Sequence, residues 1–348
     1  MRGIVLGAGL AGLITGYLLG WPVIGEEVGG QGSNPFPLGP RILEADEYSY
    51  LLLKLLGIEY KPREFRVGYI YKGSKEKFPS VHRTPPQDFR ERYYKKTRGE
   101  DSVITKSSMS GGKPGLFGWD LYEIALLNHL AAKVPVIKRT VTAIDIQECS
   151  YGVEPYSIVL GKRKEPKGVS YNAPIPGLIY DRTIRVQSLV NTLPLPTFLT
   201  LTRLSWALER PKSGDVYFVK LTLLGESRTE LGFEMPSRDY AYAYIADENI
   251  PIHRISRYGE LDHSYIVEVN DSRYYDLIDL VQPNQKVLMI GSHLLKGSQM
   301  LNPYSESPDY IGNIKMIGRY ANWNHSIKLN HVIKEALDLA KSMGRVFE

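Results

Sequence analysis

Apolar and polar positions change period several times along the chain, and each change marks an element. Ile4–Leu6 is a short apolar strand, and Leu13–Leu19 is a helix-forming run directly after it. Pro22–Gly25 reads as a second short strand, its proline tolerated at the first residue or at an edge. Ser49–Leu56 places Leu51, Leu52, Leu55 and Leu56 on one helical face, and Gly57 stops it. Glu64–Tyr71 alternates as a strand does. Gly118 opens a helix expected to run to about Ala132, and Val134–Ile146 is a strand pair or a bent strand. Ile179–Val186 carries Tyr180-Asp181-Arg182, and the apolar stretch from Leu189 ends in Thr192-Leu193-Pro194-Leu195-Pro196, a floor for a bound group. Val216–Leu223, Tyr240–Ile245 and Ser264–Val269 alternate and predict an antiparallel sheet. Asn313–Ile317 is a strand, Gly318-Arg319-Tyr320 turns it, and Ser326–Met343 is a long helix.

The first junction carries the most specific chemistry. Between the first strand and the first helix stand Gly7-Ala8-Gly9-Leu10-Ala11-Gly12. Gly7 permits a tight turn, Gly9 lets a pyrophosphate approach the backbone, and Gly12 lets helix and strand pack closely. Unpaired N–H groups at the helix start, from Leu10 onward, then face the anion. An acid that bonds the ribose is expected at the end of the second strand. Glu26 and Glu27 stand there, only 14 and 15 positions past Gly12, so the helix is about one turn short of the usual length. Glu26 is the first candidate and Glu27 the alternate. No basic pocket suited to a ribose phosphate follows. Gly29 and Gly30 come next and suggest a second close backbone approach, which an extended FAD needs more than a simple nicotinamide cofactor does.

Composition narrows the class without naming a ligand. A chain of 348 residues, 43% hydrophobic and 23% charged, describes an ordinary globular protein with room for two cores. The leucine-rich stretch Leu51–Leu56, interrupted by Lys54, falls far short of a membrane span, and no membrane insertion is expected. The single Cys149 excludes an internal disulfide and points to an intracellular, cytoplasmic home. The net charge of +5 is spread along the chain and suits an anionic small substrate or cofactor about as well as a polyanion; a small molecule rather than a nucleic acid is the expected partner. The seven histidines form no HExxH or compact cluster, so no metal is expected, and neither a GxSxG elbow nor a phosphate-binding GxxxxGK[ST] loop is present. Twenty-four tyrosines against nine phenylalanines suit pockets with one apolar side and one polar end. The segment from Pro79 to Arg98 gathers His82, Arg83, Arg90, Arg92, Lys95, Lys96 and Arg98, either as a lobe that meets anions or as a solvated helical surface. The stretch Asp247–Arg257 reads as a loop bearing His253, Arg254 and Arg257, a common place for substrate contacts.

Taken together, Gly7–Gly12, Val28-Gly29-Gly30, the Tyr180-to-Pro196 strand and Asn313–Ala336 resemble the FAD-binding superfamily of protoporphyrinogen oxidase, the amine oxidases and UDP-galactopyranose mutase. The tail is most similar to the mutase branch. The resemblance implies an α/β fold: a discontinuous FAD/NAD(P)-binding Rossmann-like domain with an inserted antiparallel-sheet substrate domain. On this reading the FAD domain comprises residues 1–60, 134–200 and 286–348. A helical and mixed substrate-facing region spans 61–133, and the inserted sheet spans 201–285.

The resemblance also implies site residues. FAD would be held by Gly7, Gly9, Leu10, Ala11, Gly12, Glu26 or Glu27, Gly29, Gly30, Arg41, Gly318 and Arg319. Tyr304 and Tyr310 resemble the mutase tyrosines that contact a substrate diphosphate; Arg254 and Arg257 join them as candidates for an anionic small substrate because their loop is expected near the same cleft. One departure bears on activity. The mutase branch has a histidine-rich stretch beside the flavin, where this chain has Leu38-Gly39-Pro40-Arg41-Ile42-Leu43. An FAD-dependent oxidoreductase is therefore the leading expectation, with a nucleotide-sugar mutase and a non-catalytic flavin-binding protein as alternatives. The sequence leaves the oligomeric state open.

Overall fold

The computed structural model describes residues 3–30, 42–98, 115–146, 156–160, 183–204, 210–225, 227–237, 239–258, 263–304, 306 and 309–347. The chain divides into two compact units: residues 1–60, 121–210 and 304–348 form one, and residues 61–120 and 211–303 form the other. Elements of the first unit are β1 (Gly3–Leu6), α1 (Leu10–Leu19), β2 (Val23–Gly25), β3 (Ile42–Glu44) and α2 (Glu47–Leu56). The second unit begins with β4 (Arg63–Tyr71), β5 (Ser80–His82), α3 (Phe89–Arg98) and β6 (Gly115–Asp120). The chain then returns to the first unit through α4 (Leu126–Lys133), β7 (Val136–Lys138), β8 (Val141–Ile146), β9 (Tyr156–Leu160), β10 (Thr183–Val186), β11 (Ser188–Asn191) and α5 (Leu195–Thr202). It completes the second unit with β12 (Ser213–Leu223), β13 (Tyr240–Ile245), β14 (Ile252–Arg257), β15 (Ser264–Asn270), α6 (Tyr274–Val281) and β16 (Val287–Met300). Last come β17 (Tyr310–Ile311), β18 (Ile314–Met316) and α7 (Leu329–Ser342).

The first unit is built on a sheet in the order β17-β18-β11-β1-β2-β7. From β18 to β7 every pairing is parallel; β17 joins antiparallel at the edge. All four residues of β1 are buried, as a central parallel strand covered on both faces requires. Helix α1 packs against α7 and α4. It ends at Gly20, whose left-handed backbone (φ 62°) returns its N–H to the last carbonyls. A separate antiparallel sheet orders β10-β9-β8.

The second unit is a largely antiparallel sheet in the order β16-β12-β15-β14-β13-β4-β6, with β5 beside β4. One face is apolar: Ile70, Val219, Leu221, Ala243, Ile255 and Val267 form a fully buried core closed by Leu277 and Val281 of α6. The other face carries tyrosines and charged groups under α3.

Several expectations shift where long-range pairing overrides local pattern. The segment from Gly118 was expected to open a helix. Its first residues instead belong to β6, paired antiparallel with β4 (Phe65 opposite Leu116), and α4 begins only at Leu126 after a left-handed Ala125 (φ 46°). The apolar spacing there fits either period, and the free strand β4 decides it. Val134–Ile146 contains two strands that join different sheets. The 14-residue β16 has no period-two alternation to announce it and pairs along β12 with two bulges. It places residues 287–300 in the second unit, whereas the sequence reading assigned everything from 286 onward to the nucleotide domain. Tyr180-Asp181-Arg182 and Cys149 lie outside the described residues.

Helix α3 is tied to the sheet by one ammonium. Lys96 Nζ donates to the carbonyls of Ile245 (3.1 Å), Asp247 (2.7 Å) and Ile252 (2.7 Å), at both ends of the β13–β14 connection. Burial pushes its pKa down to about 7, outweighing the nearby Asp247, whereas an unfolded lysine titrates at about 10.4. Between those values the unfolded chain holds more protons than the fold, so stability contributed by this group rises with pH. Lys96→Met should flatten that rise. Urea denaturation at about pH 7 and pH 9 measures it, and equal slopes for both proteins would contradict the assignment.

Candidate nucleotide and substrate site

The first unit converges on the turn between β1 and α1. Gly7 has φ 96°, and its N–H donates to Ile24 O at 2.7 Å. A methyl group on Gly12 would lie 1.7 Å from Gly7 O, so only glycine allows the helix to start this close to the strand. Thr192, just past β11, straps the turn: its hydroxyl donates to Leu6 O (2.6 Å) and Gly7 O (3.1 Å). Thr192 opens the Thr192–Pro196 turn expected as a floor, and its hydroxyl holds the glycine turn itself.

Gly9 is different. A methyl group there would meet nothing within 4 Å. Its backbone (φ −74°, ψ 178°) is ordinary extended geometry, so conformation alone does not demand glycine. Gly9 caps α1 with no side-chain hydrogen bond, and the first turn holds no acid. Leu10, Ala11 and Gly12 therefore begin a helix whose positive end is uncovered among the described residues. Such a cradle fits a diphosphate.

Two further segments reach this turn. Gly29 N–H donates to Ala8 O at 2.6 Å and forms a parallel bridge with Gly9; a methyl on Gly30 would come within 3.2 Å of Gly9 Cα. The tail arrives at Gly318 (φ 109°), 3.2 Å from Ala11 Cβ by the same construction, after Ile317 N–H pairs with Asn191 O (3.0 Å). Arg319 is exposed, and its Nε donates to Ile327 O at 3.0 Å. Glu26 and Glu27 are both exposed beyond β2. Glu26 is oriented: Thr140 Oγ1 donates to its Oε1 at 2.8 Å. Glu27 uses its backbone carbonyl to accept from Gly30 N–H. Arg41 lies outside the described residues.

The proposed substrate residues are distributed differently from the expectation. Tyr304 and Tyr310 belong to the first unit. Tyr304 N–H bonds Trp323 O at 2.8 Å, and Tyr310 is half-exposed on β17 beneath the Lys315 ammonium, 4.9 Å from its ring centre. Arg254 and Arg257 belong to the second unit and lie on strand β14, not in a loop; the connection ends where β14 begins at Ile252. Being three apart on a strand, they point to opposite faces. Arg257 is in register with Tyr265, a residue of the apolar core, and Arg254 with Glu268.

A bulge organises the Arg254 side. Between Ile252 and Arg254 the register with β15 slips by one, so His253 and Arg254 both face Glu268. Arg254 Nε donates to Glu268 Oε1 at 2.6 Å, and His253 Nε2 lies 3.6 Å from Oε2. Burial acts against charge on all three. For Arg254 the Glu268 carboxylate, with Tyr244 and Tyr93, overcomes burial and holds the guanidinium above the usual arginine range. Glu268 is held below the usual carboxylate range by Arg254 and His253 despite its burial. His253 is pushed down by burial, with the lost water outweighing Glu268. Around them stand Tyr69 and Tyr244, in register across β4 and β13, and Tyr93 of α3, 5.1 Å from Tyr244. The alternating Tyr240, Tyr242 and Tyr244 and the lone acid in apolar β15 are the sequence signals for this cluster.

No family model and no curated protein matches the chain. Solved structures do. A reduced UDP-galactopyranose mutase superposes with a TM-score of 0.57 at 12% identity, covering 100% of this chain and 94% of the other. An oxidoreductase from Methanosarcina mazei gives 0.60 at 11%, covering 99% and 100%. A putrescine oxidase variant with redesigned cofactor binding gives 0.53 at 11%, covering 99% of each chain.

Two outcomes follow from the geometry. Gly12→Ala should cost at least about 3 kcal/mol through the clash with Gly7 O, whereas Gly9→Ala should leave the melting temperature unchanged yet remove dinucleotide binding. Thermal unfolding with and without the dinucleotide separates them, and equal destabilisation would refute the cradle. Arg254→Ala strands a buried Glu268 carboxylate and should cost about 3–5 kcal/mol, read by urea denaturation. A neutral effect would show that the pair is not held as described. In architecture the chain shares the fold of these solved structures, a UDP-galactopyranose mutase and a putrescine oxidase among them.

Proposed function

We propose that the chain is an FAD-dependent oxidoreductase acting on a small molecule. The observation that carries this is the open, side-chain-free helix start in front of Gly9, with Gly29-Gly30 and Gly318 brought to the same turn. The Leu10, Ala11 and Gly12 amides would take the pyrophosphate. Glu26, oriented by Thr140, would accept from the ribose hydroxyls, and Arg319 lies on the tail that closes against α1. FAD, when bound, supplies a two-electron acceptor and donor. The chain's own contribution is to bind it, hold its charge and orient it.

Arg254 is already neutralised by Glu268, which removes it as a ligand for an anionic substrate. Within the first unit, an anionic group would be met by Arg319 with Tyr304 or Tyr310. A redox-neutral, mutase-like reaction is the second reading, favoured by the full-length match to the mutase and contested by the absence of histidine between Leu38 and Leu43.

The purified protein should show flavin absorption bands and release FAD on heating. Thr140→Val and Glu26→Gln should each weaken FAD binding about tenfold, the worth of one charge-assisted hydrogen bond. A colourless protein that takes up only NAD would overturn the proposal. Consumption of one oxidant per product would favour the oxidoreductase; turnover of a nucleotide sugar with no net oxidant would favour the mutase. Bound flavin with no turnover would favour a binding protein.

A further inference from the structure

Against helix α7 the β17–β18 hairpin leaves a groove of about 510 Å³, lined by Asp309, Tyr310, Lys315, His331, Glu335 and Asp338 among others. That volume lies in the range of small-molecule sites. Its charges are only partly matched. Lys315 pairs with Asp309 at 3.2 Å and sits over the Tyr310 ring. Lys334, on the same helix, packs 5.8 Å from the Tyr48 ring centre. His331 accepts the Lys328 N–H in the cap of α7, and burial pushes its pKa down. Glu335 is the remainder: its Oε2 is shielded from solvent and has no hydrogen-bond partner among the described residues. A carboxyl in this condition costs free energy unless a donor reaches it. With Asp309, Glu335 and Asp338 ionised against Lys315 and Lys334, the groove carries one uncompensated negative charge.

We propose that this groove is a binding site for an organic cation, a primary ammonium or guanidinium on a short apolar chain, with the Glu335 carboxylate as its counter-ion. The half-exposed Tyr310 ring and Leu339 offer the apolar contact. Burial raises the Glu335 pKa to about 7, with Lys315 and Lys334 lowering it and Asp309 and Asp338 raising it. A cation bound to the ionised form displaces the proton, so affinity is coupled to pH.

Calorimetric titration of the full chain with pentylamine and with agmatine, beside uncharged 1-pentanol, tests this. Both cations should bind saturably at pH 8 and about tenfold more weakly at pH 6, where roughly nine in ten Glu335 carboxyls are protonated. Glu335→Gln, nearly isosteric, should abolish binding while leaving any flavin spectrum unchanged. Absence of cation binding to the wild type would overturn the proposal. So would equal binding of 1-pentanol, or binding retained in Glu335→Gln, which would assign the amine to another site.

Discussion

At Gly12 a single methyl group would collide with the carbonyl oxygen of Gly7 at 1.7 Å. Much of the first unit follows from that absence of a side chain. The helix can start directly over the end of β1, so its first amides point outward with no side-chain cap. Thr192 reaches across from β11 to hold the two carbonyls that the turn exposes, and Gly29 and Gly318 can lie against Ala8 and Ala11. The consequence is a concentrated positive potential from backbone alone. A polar or acidic cap at Gly9 would stabilise an isolated helix and spoil this one for an anion.

In the second unit the corresponding constraint is electrostatic. One bulge at His253 turns two basic side chains toward one acid on a face otherwise lined with tyrosine. A buried pair of this kind adds little net stability, because desolvation cancels most of the attraction. It does fix register, since a one-residue slip would leave Glu268 without Arg254. The tyrosine excess has its physical account here: rings such as Tyr69, Tyr93 and Tyr244 fill space between α3 and the sheet while their phenols tolerate charged neighbours.

The glycine turn, the short β2 and the tail from Asn313 onward were legible because local chemistry dictates them. A GxGxxG motif between strand and helix, or a glycine at a left-handed position, owes nothing to distant residues. Strand β6 and the Arg254 site were not legible for the opposite reason. Whether Gly115–Asp120 is strand or helix depends on β4, some 50 residues earlier in the chain. Whether Arg254 meets a ligand or a carboxylate depends on Glu268 and on a bulge that no spacing announces. The sequence ranks Glu26 ahead of Glu27 but names no partner for either; Thr140, more than a hundred residues on, bonds to Glu26. Lys96 looked like one cation in a basic surface run, and its three carbonyl partners come from another hairpin.

The central claim is that backbone amides at the start of α1 bind a dinucleotide pyrophosphate. The direct measurement is an amide-resolved NMR titration of the isotope-labelled protein, following Leu10, Ala11 and Gly12 as FAD is added. These three signals should move downfield together and saturate with the same affinity as the flavin absorbance, as expected for N–H groups that donate to a charged acceptor. Saturation of the flavin signal with Leu10–Gly12 unmoved would place FAD elsewhere and contradict the account.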